Sequence, residues 1–245
     1  ASCYEVLKEQ GAIVTAVADV RPEKAQELAE KFGCEIYETG MELIEKADVD
    51  AVDICLPTFI HACHAIAAMK AGKDVATEVG GAYAIEDCWN LVETYEQTGK
   101  HCMMLENCCY GEKELYVMNM VRQGLFGEVV HCTGGYLHDL RDEITSGKET
   151  KHYRLRNYLN RNCENYPTHE LGPIAKILNI NSGNRFVKLV SMSSKAQGMK
   201  EYIAKKIAGQ IGIEDARWEK AEHVKFEYTW DGYRPIPYEN TAAVV

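Results

Sequence analysis

The first half of the chain alternates short apolar runs with amphipathic stretches, and this alternation limits the available folds more than any other feature. AIVTAVAD (12–19) is apolar and β-branched and reads as a strand. RPEKAQELAEKFG (21–33) reads as a helix, with Ala25, Leu28, Ala29 and Phe32 on one face and a terminal glycine. A short strand is expected near CEIY (34–37), a small helix at MELIEKA (41–47) and a strand at AVDICLP (51–57). IHACHAIAAMKAG (60–72) and IEDCWNLVETYEQTG (85–99) read as helices, DVATEV (74–79) and HCMMLEN (101–107) as strands. Strands alternating with helices of this length predict an α/β fold, a Rossmann-like, doubly wound parallel sheet. Ligands of such sheets bind beyond the carboxyl ends of the strands.

After a linking helix at GEKELYVMNMVRQG (111–124) the pattern changes. GEVVHCTGGYLHDLR (127–141), RFVKLVSMSS (185–194) and HVKFEYTW (223–230) read as strands without a helix between each pair. Two domains are therefore expected: a nucleotide-binding domain over 1–120, and an α+β domain over 121–245 with a mostly antiparallel open sheet. A dinucleotide sheet starts with a strand and a Gly-x-Gly-x-x-Gly turn. This chain opens instead in SCYEVLKEQG (2–11), the helix that should follow such a turn, so the sequence reads as a fragment or as one with residues skipped.

The net charge of −10 argues against a nucleic-acid partner, because phosphate binding needs a basic footprint. No apolar run approaches the roughly 20 residues that span a bilayer. None of the 10 cysteines forms a Cys-x-x-Cys pair, and most lie in apolar runs. The expectation is buried thiols in a reducing, cytoplasmic compartment, with no disulfide frame and no metal site. Export of an already folded enzyme is the alternative location, since a missing beginning could have held a signal.

Asp19 ends a predicted strand, where a carboxylate accepts hydrogen bonds from the adenosine ribose hydroxyls. LPTFIH (56–61), TEV (77–79) and ENCCYG (106–111) each lie at the carboxyl end of another. ENYPTHELGP (164–173) places Tyr166 and His169 three residues apart. Pro167 pushes Tyr166 away from helical geometry, LGPIAKILNI (171–180) reads as a helix, and Thr168 is a candidate cap for it.

AVADVRPEKAQELAEKFG, AVDICLPTFIHACHAIAAMKAGKDVATEV and RQGLFGEVV together resemble the Gfo/Idh/MocA oxidoreductase family. HCMMLENCCYGEKEL, NMVRQGLFGEVVHCTGGYLHDLR, YPTHELGP and LVSMSS closely resemble glycoside hydrolase family 109, the NAD-dependent α-N-acetylgalactosaminidases. The resemblance implies that Asp19, Thr58, Phe59, Ile60, His61, Glu78, Val79 and Asn107 contact NAD. It implies that Tyr136, Arg154, Tyr166, Pro167, Thr168, His169 and Tyr238 contact the sugar, with Tyr166 and His169 catalytic. Many dehydrogenases of the wider family carry a catalytic lysine in Glu-Lys-Pro where this chain has Glu78-Val79-Gly80.

The implied chemistry explains why a hydrolase would hold a redox cofactor. Ordinary glycosidases use two carboxylates, and NAD-dependent ones depart from that pattern. The sugar would be transiently oxidised at C3, which acidifies the C2 proton. Elimination at C1, water addition and reduction complete the cycle. Histidine and tyrosine suit the proton transfers, and an arginine fork suits substrate anchoring. The implied partner is a small glycoside, and the open sheet offers a homo-oligomer interface; no membrane partner is expected. Two alternatives stand beside the glycosidase: an NAD-dependent sugar dehydrogenase or epimerase, and a non-catalytic sugar- or nucleotide-binding relative.

Overall fold

A computed structural model describes residues 2–146, 154–160, 162–164, 166–195 and 197–207. The chain divides into two compact units, Ala1–Asn107 and Cys108–Val245. The linking helix therefore falls inside the second unit.

The first unit opens with α1 (Ser2–Lys8), then β1 (Ala16–Val17), α2 (Pro22–Phe32), β2 (Glu35–Ile36), α3 (Gly40–Lys46) and β3 (Ala51–Ile54). It continues through α4 (His61–Lys70), β4 (Asp74–Thr77), α5 (Ile85–Thr98) and β5 (Cys102–Met104). Every strand pairing described in this unit is parallel: β1 with β2, and β3-β4-β5 in that order. Among the described residues no strand joins the two sheets, and only Ala16 and Val17 of the predicted strand 12–19 pair. Ile13, ahead of them, is 78% exposed, because a strand persists only where a neighbour completes its ladder. Tyr4 of α1 donates its hydroxyl to the Asp53 carboxylate on the outer strand β3, and its ring lies edge-on to Phe32, 6.1 Å away.

The core lies where α4 covers β3 and β4. Ala65, Ala68 and Met69 are wholly enclosed and pack with Ile44, Val52, Ile54 and Val75. Small residues on α4 let the helix approach the sheet closely, and Met69 fills the remaining gap. On β3 the side chains alternate, with Val52 and Ile54 buried and Ala51 and Asp53 exposed. Cys55 continues the outward set, which corrects the expectation of buried thiols. Of the described cysteines only Cys109 is buried, while Cys55, Cys63, Cys88 and Cys163 are exposed.

The second unit carries α6 (Glu112–Arg122), α7 (Arg141–Thr145), α8 (Arg154–Asn160), α9 (Pro167–Ile177) and α10 (Gly198–Ile207). The antiparallel sheet expected here is not seen among the described residues. Segments 127–140 and 185–194 carry no ladder, Arg141 already begins α7, and the only bridge described is the isolated pair Ile180–Asn184. An apolar run makes a segment able to form a strand, but its backbone must still find a partner. Val187, Leu189 and Met192 are accordingly more than 80% exposed, at 89%, 83% and 92%. Residues 223–230 and Tyr238 lie outside the described residues. No described helix is long and apolar enough to cross a membrane.

Candidate functional site

The helix α9 starts at Pro167, four residues ahead of its predicted start, because proline at the first helical position is pre-set for helix and loses no hydrogen bond there. Tyr166 is the N-cap residue, with φ −138° and ψ 55°, and no side chain caps the helix. Thr168 is thus not the cap: its hydroxyl is buried without a hydrogen-bond partner among the described residues, as is Oε2 of Glu170. His169 stands in the first turn. Further along, Pro173 lacks an N–H, which removes the rung that would run back to the His169 carbonyl.

This geometry brings the Tyr166 phenol and the His169 imidazole into a stack, with centroids 5.3 Å apart and planes 11° apart. Tyr136 reaches the same cluster, its ring 4.6 Å from His169, 5.6 Å from Tyr166 and 4.5 Å from His138. The approach depends on Gly134. A Cβ there would stand 2.8 Å from Glu170 Cβ and 3.1 Å from Ile174 Cδ1, so the segment bearing Tyr136 can lie against α9 only with glycine at this position. Arg154, at the start of α8, sets its guanidinium 5.1 Å from the centre of the Tyr166 ring. Its Nη1 donates to the Glu143 carboxylate of α7.

Tyr136, His138, Arg154 and Tyr166 border a cavity of about 150 Å³ inside the second unit, together with Tyr158 and Glu164 among others; His169 is not part of its lining and meets it through the two tyrosine rings. Partial burial pushes the Tyr158 phenol above its ordinary value. Glu164 accepts a bond of 3.0 Å from the Tyr166 backbone N–H, which steadies the turn into α9. Sequence reasoning misses Tyr158 and Glu164 as members of this group. Tyr158 follows Arg154 by one helical turn and shares its face, and that spacing is the signal that could have found it.

In the first unit the expected cofactor residues collect at the carboxyl ends of β1, β3, β4 and β5. Asp19 follows β1, and its Oδ1 accepts both the Arg21 backbone N–H, at 2.8 Å, and Arg21 Nε, at 3.3 Å. Thr58, Phe59 and Ile60 form a tight 3-10 turn after β3, with Phe59 edge-on to Tyr83. Glu78 is exposed and Val79 buried just beyond β4, while Asn107 is exposed beyond β5. Gly80 has φ +82°, and a Cβ there would fall 2.5 Å from Thr58 Cγ2, so the loops after β3 and β4 touch. His61 is 1% exposed, with Nε2 on the Leu56 carbonyl and Nδ1 buried without a partner among the described residues; in this structure it braces the loop from within. Parallel strand ends, a carboxylate after β1 and a glycine-floored loop pair fit the requirements of a dinucleotide.

Residues 4–106 match the family model described as oxidoreductase family, NAD-binding Rossmann fold. Residues 110–227 match the model of the glycosyl hydrolase 109 C-terminal domain. A glycosyl hydrolase family 109 protein of Solibacter usitatus is 48% identical over 165 residues, covering 67% of this chain and 38% of that protein. A Bacteroides fragilis protein named alpha-N-acetylgalactosaminidase is 40% identical over 212 residues, 81% of this chain and 50% of its own. The chain thus spans half or less of the length of these relatives. In fold, it is similar to a myo-inositol 2-dehydrogenase from Lactobacillus plantarum, with TM-score 0.59 at 16% identity, over 69% of this chain and 49% of that one.

Proposed function

Because this chain belongs to the Gfo/Idh/MocA oxidoreductase family and joins its nucleotide-binding domain to a glycosyl hydrolase 109 C-terminal domain, we propose that it acts in an NAD-dependent glycosidase that hydrolyses α-N-acetylgalactosaminides. The observation that carries the reading is the cluster of Tyr136 and Tyr166 beside Arg154 on one cavity, with the His169 ring against both tyrosines. Stacked aromatic rings, a neutral-range imidazole type and a fixed cation are what a sugar ring needs for packing, proton transfer and orientation.

NAD would be held by Asp19, Thr58, Phe59, Ile60, Glu78, Val79 and Asn107, with His61 supporting the loop from inside. When bound, it supplies reversible oxidation at C3 of the sugar, which acidifies the proton on C2. His169 then takes and returns that proton, a role suited to an imidazole, whose ring nitrogens accept and donate protons. Tyr166, stacked on His169, carries a hydroxyl that can move a proton at the neighbouring oxygen. Arg154 orients the ring through directed N–H donors, and Tyr136 offers an apolar face with a polar tip. Thr168 completes the contacts of the first turn of α9, with Pro167 shaping that turn. Tyr238 belongs to the same proposed set. The apolar character of 185–194 supports a mostly antiparallel sheet in this second domain.

Val79 stands where a dehydrogenase of the wider family places its catalytic lysine, which favours the glycosidase. Incubation with p-nitrophenyl α-N-acetylgalactosaminide tests it: nitrophenol should be released with no net NADH. Accumulating NADH would instead make the protein a dehydrogenase. Sugar binding with neither signal would make it a binding protein.

A further inference from the structure

We propose that Glu143 is a positioning residue for the sugar site, acting through Arg154. The inference rests on the sugar site proposed above. Glu143 lies on α7 and Arg154 begins α8, and the carboxylate accepts the arginine's Nη1 N–H. The arginine is the more enclosed partner, with its side chain 18% exposed against 37% for the glutamate. Arg154 borders the cavity, while Glu143 is absent from its lining.

An arginine side chain has several rotatable bonds, and left alone it sweeps a wide arc. Here two contacts of different kind remove that freedom. The ion pair holds Nη1, and the Tyr166 ring flanks the guanidinium with its centre 5.1 Å from the guanidinium carbon. Two contacts at different points of the group narrow its orientations more than either does alone. A planar fork of donors gives directional recognition only when its plane is set before the ligand arrives. Glu143 also supplies the counter-charge that allows a mostly enclosed cation to remain beside two phenols. The same carboxylate thus orders a donor for the sugar and lowers the cost of keeping it there.

The test is a double-mutant cycle on the NAD-loaded protein, read by calorimetric titration with N-acetylgalactosamine. Glu143→Ala should weaken sugar binding about tenfold to a hundredfold, the range spanned by one charge-assisted hydrogen bond. Glu143→Gln keeps an acceptor of the same shape and should lose less. Bound NAD should be unchanged in both. The decisive comparison is made after Arg154→Ala, where removing Glu143 should cost nothing further. Equal losses in both backgrounds would overturn the positioning role, since a residue that only supports the fold weakens binding whether or not Arg154 is present. If Arg154→Ala alone leaves sugar binding intact, both the sugar site and this inference fall. If Arg154→Ala weakens binding and Glu143→Ala does not, only the inference falls. Should Glu143→Ala not fold, the Glu143→Gln cycle separates the same outcomes on a smaller scale.

Discussion

Tyr166 and His169 lie face to face, their planes only 11° apart, at the point where the backbone turns from loop into α9. The two rings are therefore held relative to each other by one helical turn.

If that pair moves protons on a sugar, His169→Ala should lower kcat about 10²- to 10⁴-fold, the usual contribution of a positioned acid or base. Bound NAD should stay at the wild-type level. Exchange of the sugar's C2 proton into deuterated water should fall by the same factor. Tyr166→Phe retains the stack and should show the smaller loss. Unchanged exchange in His169→Ala would remove the histidine from the proton transfer.

Gly134 should tolerate no side chain. Gly134→Ala sets a methyl 2.8 Å from Glu170 Cβ, and overpacking of that kind costs about 1–3 kcal/mol. The melting temperature should drop, and KM for the glycoside should rise because Tyr136 is displaced. A variant matching wild type in both would show that the segment before Tyr136 does not need close contact with α9.

Gly80 makes a comparable prediction in the first unit. Gly80→Ala combines φ +82° with a methyl 2.5 Å from Thr58 Cγ2. NAD affinity should fall about tenfold, as a loss of roughly 1.4 kcal/mol implies. Adding Thr58→Ser removes the clashing methyl and should restore part of the affinity, with the backbone strain left behind. Fluorescence titration with NADH measures each step.

His61 should give the fold a pH dependence. Burial pulls its pKa below the ordinary 6.5, so the unfolded chain takes up a proton first as the medium acidifies. The stabilisation is complete above about 6.5 and is lost as the pH falls through that value towards the lowered folded one. Urea unfolding of wild type and His61→Gln at several pH values from neutral downward should show a shallower acid loss in the variant. Parallel curves would mean that another group carries the dependence.

Much of the first unit is legible from periodicity. The helices α2, α4 and α5 fall within their expected stretches, because each buries one regular face and α2 and α5 end on a left-handed glycine, Gly33 and Gly99. Strand partners are not legible in the same way. The apolar run in 185–194 shows that the segment could form a strand, and nothing in those residues specifies what lies beside them. The site divides similarly. Tyr166 and His169 are neighbours in sequence, so their proximity is visible at once. Tyr136 joins them only because Gly134 admits the backbone of another segment, a packing relationship without a local motif. Glu143 is invisible in the sequence, because its importance depends on the direction in which Arg154 points.

The start of α9 lies earlier than the sequence suggests for a specific reason. Pro167 reads as a breaker of what comes before it, yet at the first position of a helix proline is a favourable start.

Pro173 gives that helix a mechanical character. With one rung missing between its first and second turns, the short piece bearing the aromatic pair can tilt while the remainder stays anchored. The pair thus rides on a compliant mount, and in the proposed sugar site a ring of slightly different girth would be met by a small rocking of one turn rather than by rearranging the wall around it.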